Sequence, residues 1–323
     1  MNNFWEDKNV FITGGSGLLG SHLIKRLLEF NTHKIVVLVR DYVPKSIFFS
    51  EKLCDKVITA DGKVEDFYLI ERTLNEYEID TVFHLAAQPL VPIANKSPLA
   101  TFESNIKGTW NVLEACRLHK DKIKRILIAS SDKAYGTQVE LPYKETAPLQ
   151  GEHPYDVSKS CADLIAQSYY KTYDLPIAIT RCGNFYGSGD LNFNRIIPET
   201  IKSILENKSP KIRSDGTYIR DYIFIPDVIE GYLKIAENLD RDNIKGEAFN
   251  ISTSNKLTVL QLVRLILDIM NSKSEPEILN EAKGEIKHQY LDGGKMKKLL
   301  NWEPKHNIEE GLKETIEWYK NNI

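Results

Sequence analysis

Phe11-Ile12-Thr13-Gly14-Gly15-Ser16-Gly17-Leu18-Leu19-Gly20 is the stretch whose reading decides the fold. The β-branched run Lys8–Thr13 leads into it as a strand, and a helical pattern, Leu18–Phe30, starts inside it. Gly14, Gly17 and Gly20 are spaced G-x-x-G-x-x-G. Glycine permits the tight turn, lets backbone N–H groups approach a pyrophosphate, and allows close helix–strand packing. The helix N-terminus then turns its positive dipole end towards the anion. Strand, glycine turn and helix in this order define a dinucleotide-binding unit.

Working outward, the same alternation continues. Lys34–Arg40, Val57–Ala60, Thr81–Leu85, Arg125–Ser130 and Ala178–Arg181 read as strands. Asp66–Glu78, Pro98–His119 and Ser158–Tyr173 read as helices between them. Buried, non-alternating strands separated by helices predict an α/β fold, a Rossmann-type doubly wound parallel sheet covered on both faces. From Asn184 the pattern becomes more polar, with helices expected at Ile197–Glu206, Val259–Met270, Gly294–Leu300 and Ile308–Tyr319. We therefore expect a dinucleotide-binding domain over 1–183 plus about 222–250. A smaller mixed α/β lobe for substrate is expected over 184–221 and 251–323.

The chain has 323 residues, 42% of them hydrophobic, and a formal net charge of -3. That is enough apolar material for a large core, and the balanced charge gives no reason to expect nucleic-acid or membrane partners. No apolar run approaches the roughly 18 residues of a membrane span, and the first residues lack a signal-peptide order. A cytoplasmic location is expected. Cys54, Cys116, Cys161 and Cys182 show no C-x-x-C spacing, so neither a metal site nor a disulfide scaffold is expected. Cys116 and Cys161 read as small core side chains.

Two further segments carry chemistry. The second strand ends Val39-Arg40-Asp41, where an acid would hold the ribose diol of NAD and an arginine the 2′-phosphate of NADP. Arg40 sits at the strand end, which favours NADP over NAD. After the fifth strand comes Ser130-Ser131-Asp132-Lys133, and later Tyr155-Asp156-Val157-Ser158-Lys159. On a helix, Tyr155 and Lys159 share a face. A lysine ammonium there is expected to lower the phenol pKa and make Tyr155 a base.

These residues carry a resemblance. The chain resembles the extended short-chain dehydrogenase/reductase family, and most closely its nucleotide-sugar 4,6-dehydratases. The matching segments are Thr13–Gly20, Phe83–Gln88, Asn105–Asn111, Ser131 with Tyr155 and Lys159, Arg181–Gly187, Gly216–Tyr222 and Leu300–Pro304. The Asp132-Lys133 pair and the run His84–Val91 are similar to the CDP-glucose 4,6-dehydratases.

The resemblance implies cofactor contacts from Gly14, Ser16, Gly17, Leu18, Leu19, Arg40, Asp61 and Gly62. It adds Leu85, Ala86, Ala87, Gln88, Asn105, Ser130, Tyr155, Lys159, Cys182 and Asn184. For the sugar nucleotide it implies Gln88, Ser131, Asn184, Arg195, Arg213 and Arg220, with Arg220 on the diphosphate. In the implied reaction Tyr155 takes the C4-hydroxyl proton as C4 gives hydride to the nicotinamide. Ser131 bonds the same oxygen and Lys159 holds the nicotinamide ribose. Water then leaves across C5–C6 and the hydride returns to the sugar.

Related dehydratases carry an acidic pair, acid first and base second, where this chain has Asp132-Lys133. Lys133 is thereby a C5 base, a group orienting Asp132, or a stabiliser of the enolate. A 4-epimerase shares Tyr155 and Lys159, and a non-catalytic dinucleotide-binding protein shares the glycine turn. The resemblance also implies a homodimer through a four-helix bundle formed by Thr101–His119 and Ser158–Tyr173. His84, His153 and His288 read as structural or surface residues.

Overall fold

A computed structural model describes residues 3–253, 256–282 and 286–323. Seven parallel strands form the central sheet: β1 (Asn9–Thr13), β2 (Lys34–Val39), β3 (Ile58–Asp61), β4 (Thr81–His84), β5 (Arg125–Ala129), β6 (Ile177–Cys182) and β7 (Ala248–Ile251). Their spatial order is β7-β6-β5-β4-β1-β2-β3. The order reverses at β1, which pairs with β4 on one side and β2 on the other. The crevice beyond the carboxyl ends of β1 and β4 is therefore the place where ligands bind in such a sheet. The sequence pattern showed six of these strands; β7 was not foreseen.

Alternation along each strand fills two cores. Val10, Ile12 and Val37 face α1 (Leu18–Glu29) and, from the second half of the chain, Val228 and Tyr232 of a helix at Ile225–Glu237. Phe11 and Val36 face the opposite way, towards Ile70 and Leu74 of α2 (Phe67–Glu76) and Val112 and Cys116 of α3 (Gly108–Leu118). Ala166 of α4 (Pro154–Tyr173) joins that second core. Burying such strands on both faces stabilises the fold by roughly 25 cal/mol per Å² of apolar surface. Cys116 is buried as expected, whereas Cys161 is only partly so.

Two helices differ from the sequence pattern. The helix expected over Pro98–His119 is broken into Pro98–Phe102, a wider π-helical turn at Glu103–Lys107, and α3. That turn carries the buried Ser104 and Asn105, consistent with the tendency of π-bulges to sit at functional sites. The helix expected from Ser158 starts instead at Pro154, whose fixed φ and missing N–H suit a first helical position.

The second lobe has its own core of Ile201, Leu262, Ile266, Leu312, Ile316 and Tyr319. These come from the helices Ile196–Leu205, Val259–Ile269 and Ile308–Asn322, close to their expected bounds. A small sheet places Ile219–Arg220 between Leu257–Thr258 and His288–Gln289, so that Gln289 lies opposite Arg220. Residues 254–255 and 283–285, inside the lobe expected over 251–323, lie outside the described residues.

Candidate active site

A cleft of about 760 Å³ runs from the glycine turn, past the carboxyl ends of the strands, to the second lobe. Its floor begins at Gly14, whose φ is +75 and where an added Cβ would stand 2.7 Å from Ala86 N. Only glycine lets this turn lie so close to the next strand's end. Gly17 precedes α1 with no side-chain cap, which leaves first-turn N–H groups for a ligand. Gly14, Ser16, Gly17, Leu18 and Leu19 all line the cleft. This cradle fits the phosphates of a dinucleotide, which would be held there by backbone rather than by side chains.

The turn is supported from beneath by His84. Its Nδ1 lies 2.8 Å from Thr13 Oγ1 and its Nε2 3.0 Å from Thr109 Oγ1. Thr109 donates its own proton to Asn105 O at 2.6 Å, so His84 Nε2–H is the donor and Nδ1 accepts from Thr13. Thr13 Oγ1 in turn accepts from Ala86 N. Burial, with Lys159 adding a smaller repulsion, pushes His84 down to about 3. A neutral, structural His84 agrees with the sequence reading.

Leu85, Ala86, Ala87, Gly62, Ser130, Cys182 and Asn184 also face the cleft, and Arg40 stands at its far end. Arg40 Nε donates to Asp41 at 2.6 Å, so the two groups that distinguish NADP from NAD are paired with each other. Three residues expected at the cofactor are not on the cleft wall. Asp61 ends β3 behind Gly62. Gln88 turns its side chain back onto Leu90 N. Asn105 is buried, accepts from Gln88 N at 2.6 Å and donates to Gln88 O and to Ser158 Oγ. Ser158 donates to Tyr155 O, so Asn105 positions the cofactor-side loop against α4 through its neighbours.

The carboxyl end of β5 and the first turn of α4 bring the acid–base groups together. Ser131 Oγ donates to Asp132 Oδ1 at 3.0 Å and accepts from Lys133 N. The Tyr155 phenol hydrogen-bonds with Ser131. Lys159 Nζ donates to Ala129 O at 2.7 Å, and burial pushes its pKa down to about 8. The expected lowering of the phenol by Lys159 is not what the structure shows. Burial dominates and pushes Tyr155 up to about 12, with the Ser131 hydrogen bond opposing it. Desolvation penalises the phenolate more than the surrounding dipoles favour it, because Lys159 is committed to the Ala129 carbonyl.

Asp132 is 5% exposed, and burial raises its pKa against the pull of Lys133 and the Ser131 hydrogen bond. Lys133 Nζ donates to Gln289 Oε1 at 2.5 Å, while Gln289 Nε2 donates to Asp132 O at 2.9 Å. Gln289 is fully buried and reaches from the second lobe to both members of the pair. Behind them Arg181 of β6 grips Asp163 of α4 through Nε and Nη2, which fixes the helix that carries Tyr155 against the sheet.

The second lobe contributes the cations. Arg220 donates to Ile219 O and Lys287 O and packs over the Tyr218 ring. Arg195 donates to Asp190 and packs over Phe185, and Arg213 donates to Asn194. All three arginines line the cleft, opposite Ser131 and Tyr155. His153 lines it too, whereas His288 is exposed on its short strand. Gln289 and Asp156 were missed by sequence reasoning. Gln289 carries no local signal, and Asp156 looks like an ordinary first-turn helix acid.

Fold and site together define an enzyme of the extended short-chain dehydrogenase/reductase class, with a dinucleotide cradle and a Ser-Tyr-Lys set at one sheet edge. Residues 11–315 match the family described as GDP-mannose 4,6 dehydratase, and the chain belongs to it. It is 30% identical to the CDP-glucose 4,6-dehydratase of Salmonella typhimurium, over 98% of this chain and 92% of that one. The dTDP-glucose 4,6-dehydratase of Bacillus anthracis, solved in complex with NAD, superposes with a TM-score of 0.86 at 28% identity, covering 98% of this chain and 97% of that one. The UDP-glucose 4-epimerase of Thermotoga maritima, solved with UDP-glucose, gives 0.88 at 29% identity, covering 97% and 99%.

Proposed function

We propose that this protein is a nucleotide-sugar 4,6-dehydratase. The observation that carries the reading is Asp132: a buried carboxyl with a raised pKa, bonded to Ser131 beside Tyr155. A carboxyl whose pKa burial raises holds its proton more readily than an exposed one and is suited to donate it to a leaving hydroxyl, a step that an epimerase does not need. When bound, NADP or NAD supplies the oxidant for C4 and later returns the hydride. Tyr155 is placed to take the C4-hydroxyl proton as a phenolate, a form that the positive charge of an oxidised nicotinamide bound beside it would favour against the effect of burial, and Ser131 holds that oxygen through its hydrogen-bonded network. Asp132 protonates the C6 hydroxyl as it departs. Arg220, Arg195 and Arg213 are the partners for a diphosphate, a role suited to planar guanidinium groups.

Two further parts of the reading rest on named residues. Arg40 has both Nη groups without a partner among the described residues, which suits the 2′-phosphate of NADP. Leu99, Trp110, Leu118, Leu164 and Tyr173 are exposed on neighbouring helices around α3 and α4, which suits a homodimer through a four-helix bundle.

The test is mass spectrometry after incubation with dTDP-glucose, CDP-glucose, UDP-glucose and GDP-mannose, each with NAD or NADP. The expected product is lighter than its substrate by one water, and Tyr155→Phe lowers its rate by about a hundredfold or more. The likeness to a UDP-glucose 4-epimerase favours a second reading, under which the product has unchanged mass.

A further inference from the structure

Elimination needs two groups held in place at once, one at C5 and one at the C6 hydroxyl, yet lysine carries its nitrogen on a long flexible stem. Asp132 and Lys133 line the cleft on the turn Asp132–Tyr135. Gln289 lies behind them with no exposed surface. One orientation of its carboxamide serves both. The main-chain oxygen of Asp132 can only accept, so Gln289 turns Nε2 towards it at 2.9 Å and Oε1 towards Lys133 Nζ at 2.5 Å. An amine and an ammonium both carry N–H bonds, so Oε1 holds Nζ before and after a proton is taken up.

Gln289 is itself firmly mounted. Successive side chains of a strand point to opposite faces, which on the short strand His288–Gln289 exposes His288 and buries Gln289. The strand pairs in parallel with Ile219–Arg220, with Gln289 opposite Arg220. Just beyond it, Tyr143 N donates to Tyr290 O at 2.9 Å, and Leu291 packs with Tyr135 and Tyr143. Tyr135 closes the turn that begins at Asp132. One strand pair therefore carries both Arg220 and the support of the Asp132-Lys133 pair.

We propose that Gln289 is a positioning residue for elimination: its carboxamide, carried by the second lobe, sets Asp132 against C6 and Lys133 against C5 of the sugar. The inference rests on the dehydratase reading, in which Lys133 stands where related dehydratases hold the base. With a ketone at C4, the C5–H bond breaks and its proton goes to the Lys133 amine. The electron pair forms the C5–C6 double bond, the C6–O bond breaks, and the oxygen leaves as water with the proton of Asp132. Hydride then returns to C6, and the Lys133 ammonium gives its proton to C5. The proton that Tyr155 took from the C4 hydroxyl reaches Asp132 through solvent, which restores the site. Gln289 touches no substrate atom in this scheme and acts through the pair alone.

The experiment separates elimination from oxidation. Wild type and variants, each with bound NAD or NADP, are mixed in single turnover with whichever member of the four-sugar panel the wild type converts. Reduced nicotinamide is followed by absorbance and water loss by mass spectrometry. Gln289→Met keeps the length and bulk of the side chain but neither hydrogen bond. It is expected to slow water loss by about tenfold to a hundredfold while oxidation at C4 stays within about threefold, so that reduced nicotinamide accumulates. In steady state kcat falls with little change in KM. A role in packing alone would be met by methionine.

Water loss in Gln289→Met within about threefold of wild type overturns the inference. So does an equal loss of oxidation and elimination, with no reduced nicotinamide accumulating. Should Gln289→Met fail to fold, Gln289→Glu decides, since it keeps an acceptor for Lys133 and removes the donor to Asp132 O. Accumulation of reduced nicotinamide in that variant supports the inference, and its absence overturns it. A wild type that releases no water from any of the four sugars overturns the dehydratase reading and the inference with it, whereas water loss indifferent to Gln289 overturns the inference alone.

Discussion

Acidification should undo the support under the glycine turn, and His84 gives the size of the effect. In the folded chain its pKa is about 3, against 6.5 when unfolded. The unfolded state therefore binds more protons throughout that window. The stabilisation from keeping His84 neutral is complete above 6.5 and is lost as pH falls towards 3. Within the window each pH unit removes about 1.4 kcal/mol, so His84 accounts for about 2.5 kcal/mol of the stability lost between about pH 7 and pH 4.5. His84→Gln keeps a polar side chain near Thr13 and Thr109 but cannot titrate. We expect this variant to be less stable at pH 7, because the imidazole's packing is lost. Its further loss on acidification should be smaller than that of the wild type by about 2.5 kcal/mol. Urea unfolding at the two pH values measures both. Parallel losses in wild type and variant would refute the linkage and with it the neutral, doubly hydrogen-bonded ring.

Two other outcomes are expected. Gly136 has a φ of +62, and an added Cβ would stand 1.9 Å from Gln150 O. Gly136→Ala should cost at least about 1–3 kcal/mol from the backbone conformation alone, read as a lower urea midpoint. Trp110→Asp combined with Leu164→Asp should turn a dimer into a monomer in analytical ultracentrifugation, with unchanged far-ultraviolet circular dichroism. A wild type that is already monomeric removes the four-helix bundle from the reading.

Much of the fold was legible because its signals are local. Buried parallel strands read as unbroken apolar runs, and six of seven lay within a residue or two of their observed bounds. The exception, Ala248–Ile251, is only four residues long, too short for its apolar pattern to stand out. The π-turn at Glu103–Lys107 was also illegible, since its composition suits an α-helix equally well. In the site, Tyr155 and Lys159 were found by helical phase and the turn by its glycines. Gln88 and Asn105 were placed at the cofactor by resemblance. Their side chains proved to be engaged with the backbone and with Ser158, which no one-dimensional pattern reveals.

The order of strand, glycine turn and helix, and the four-residue spacing of Tyr155 and Lys159, are properties of the chain itself, fixed by backbone geometry. The direction of the Tyr155 pKa, the strut from Gln289 to Lys133, and the place of Asp156 on the cleft wall were decided only by folding. Each depends on how much water is removed and on partners far apart in the chain, 156 residues in the case of Lys133 and Gln289. Desolvation is a property of the packed volume around a group, and no stretch of sequence contains it.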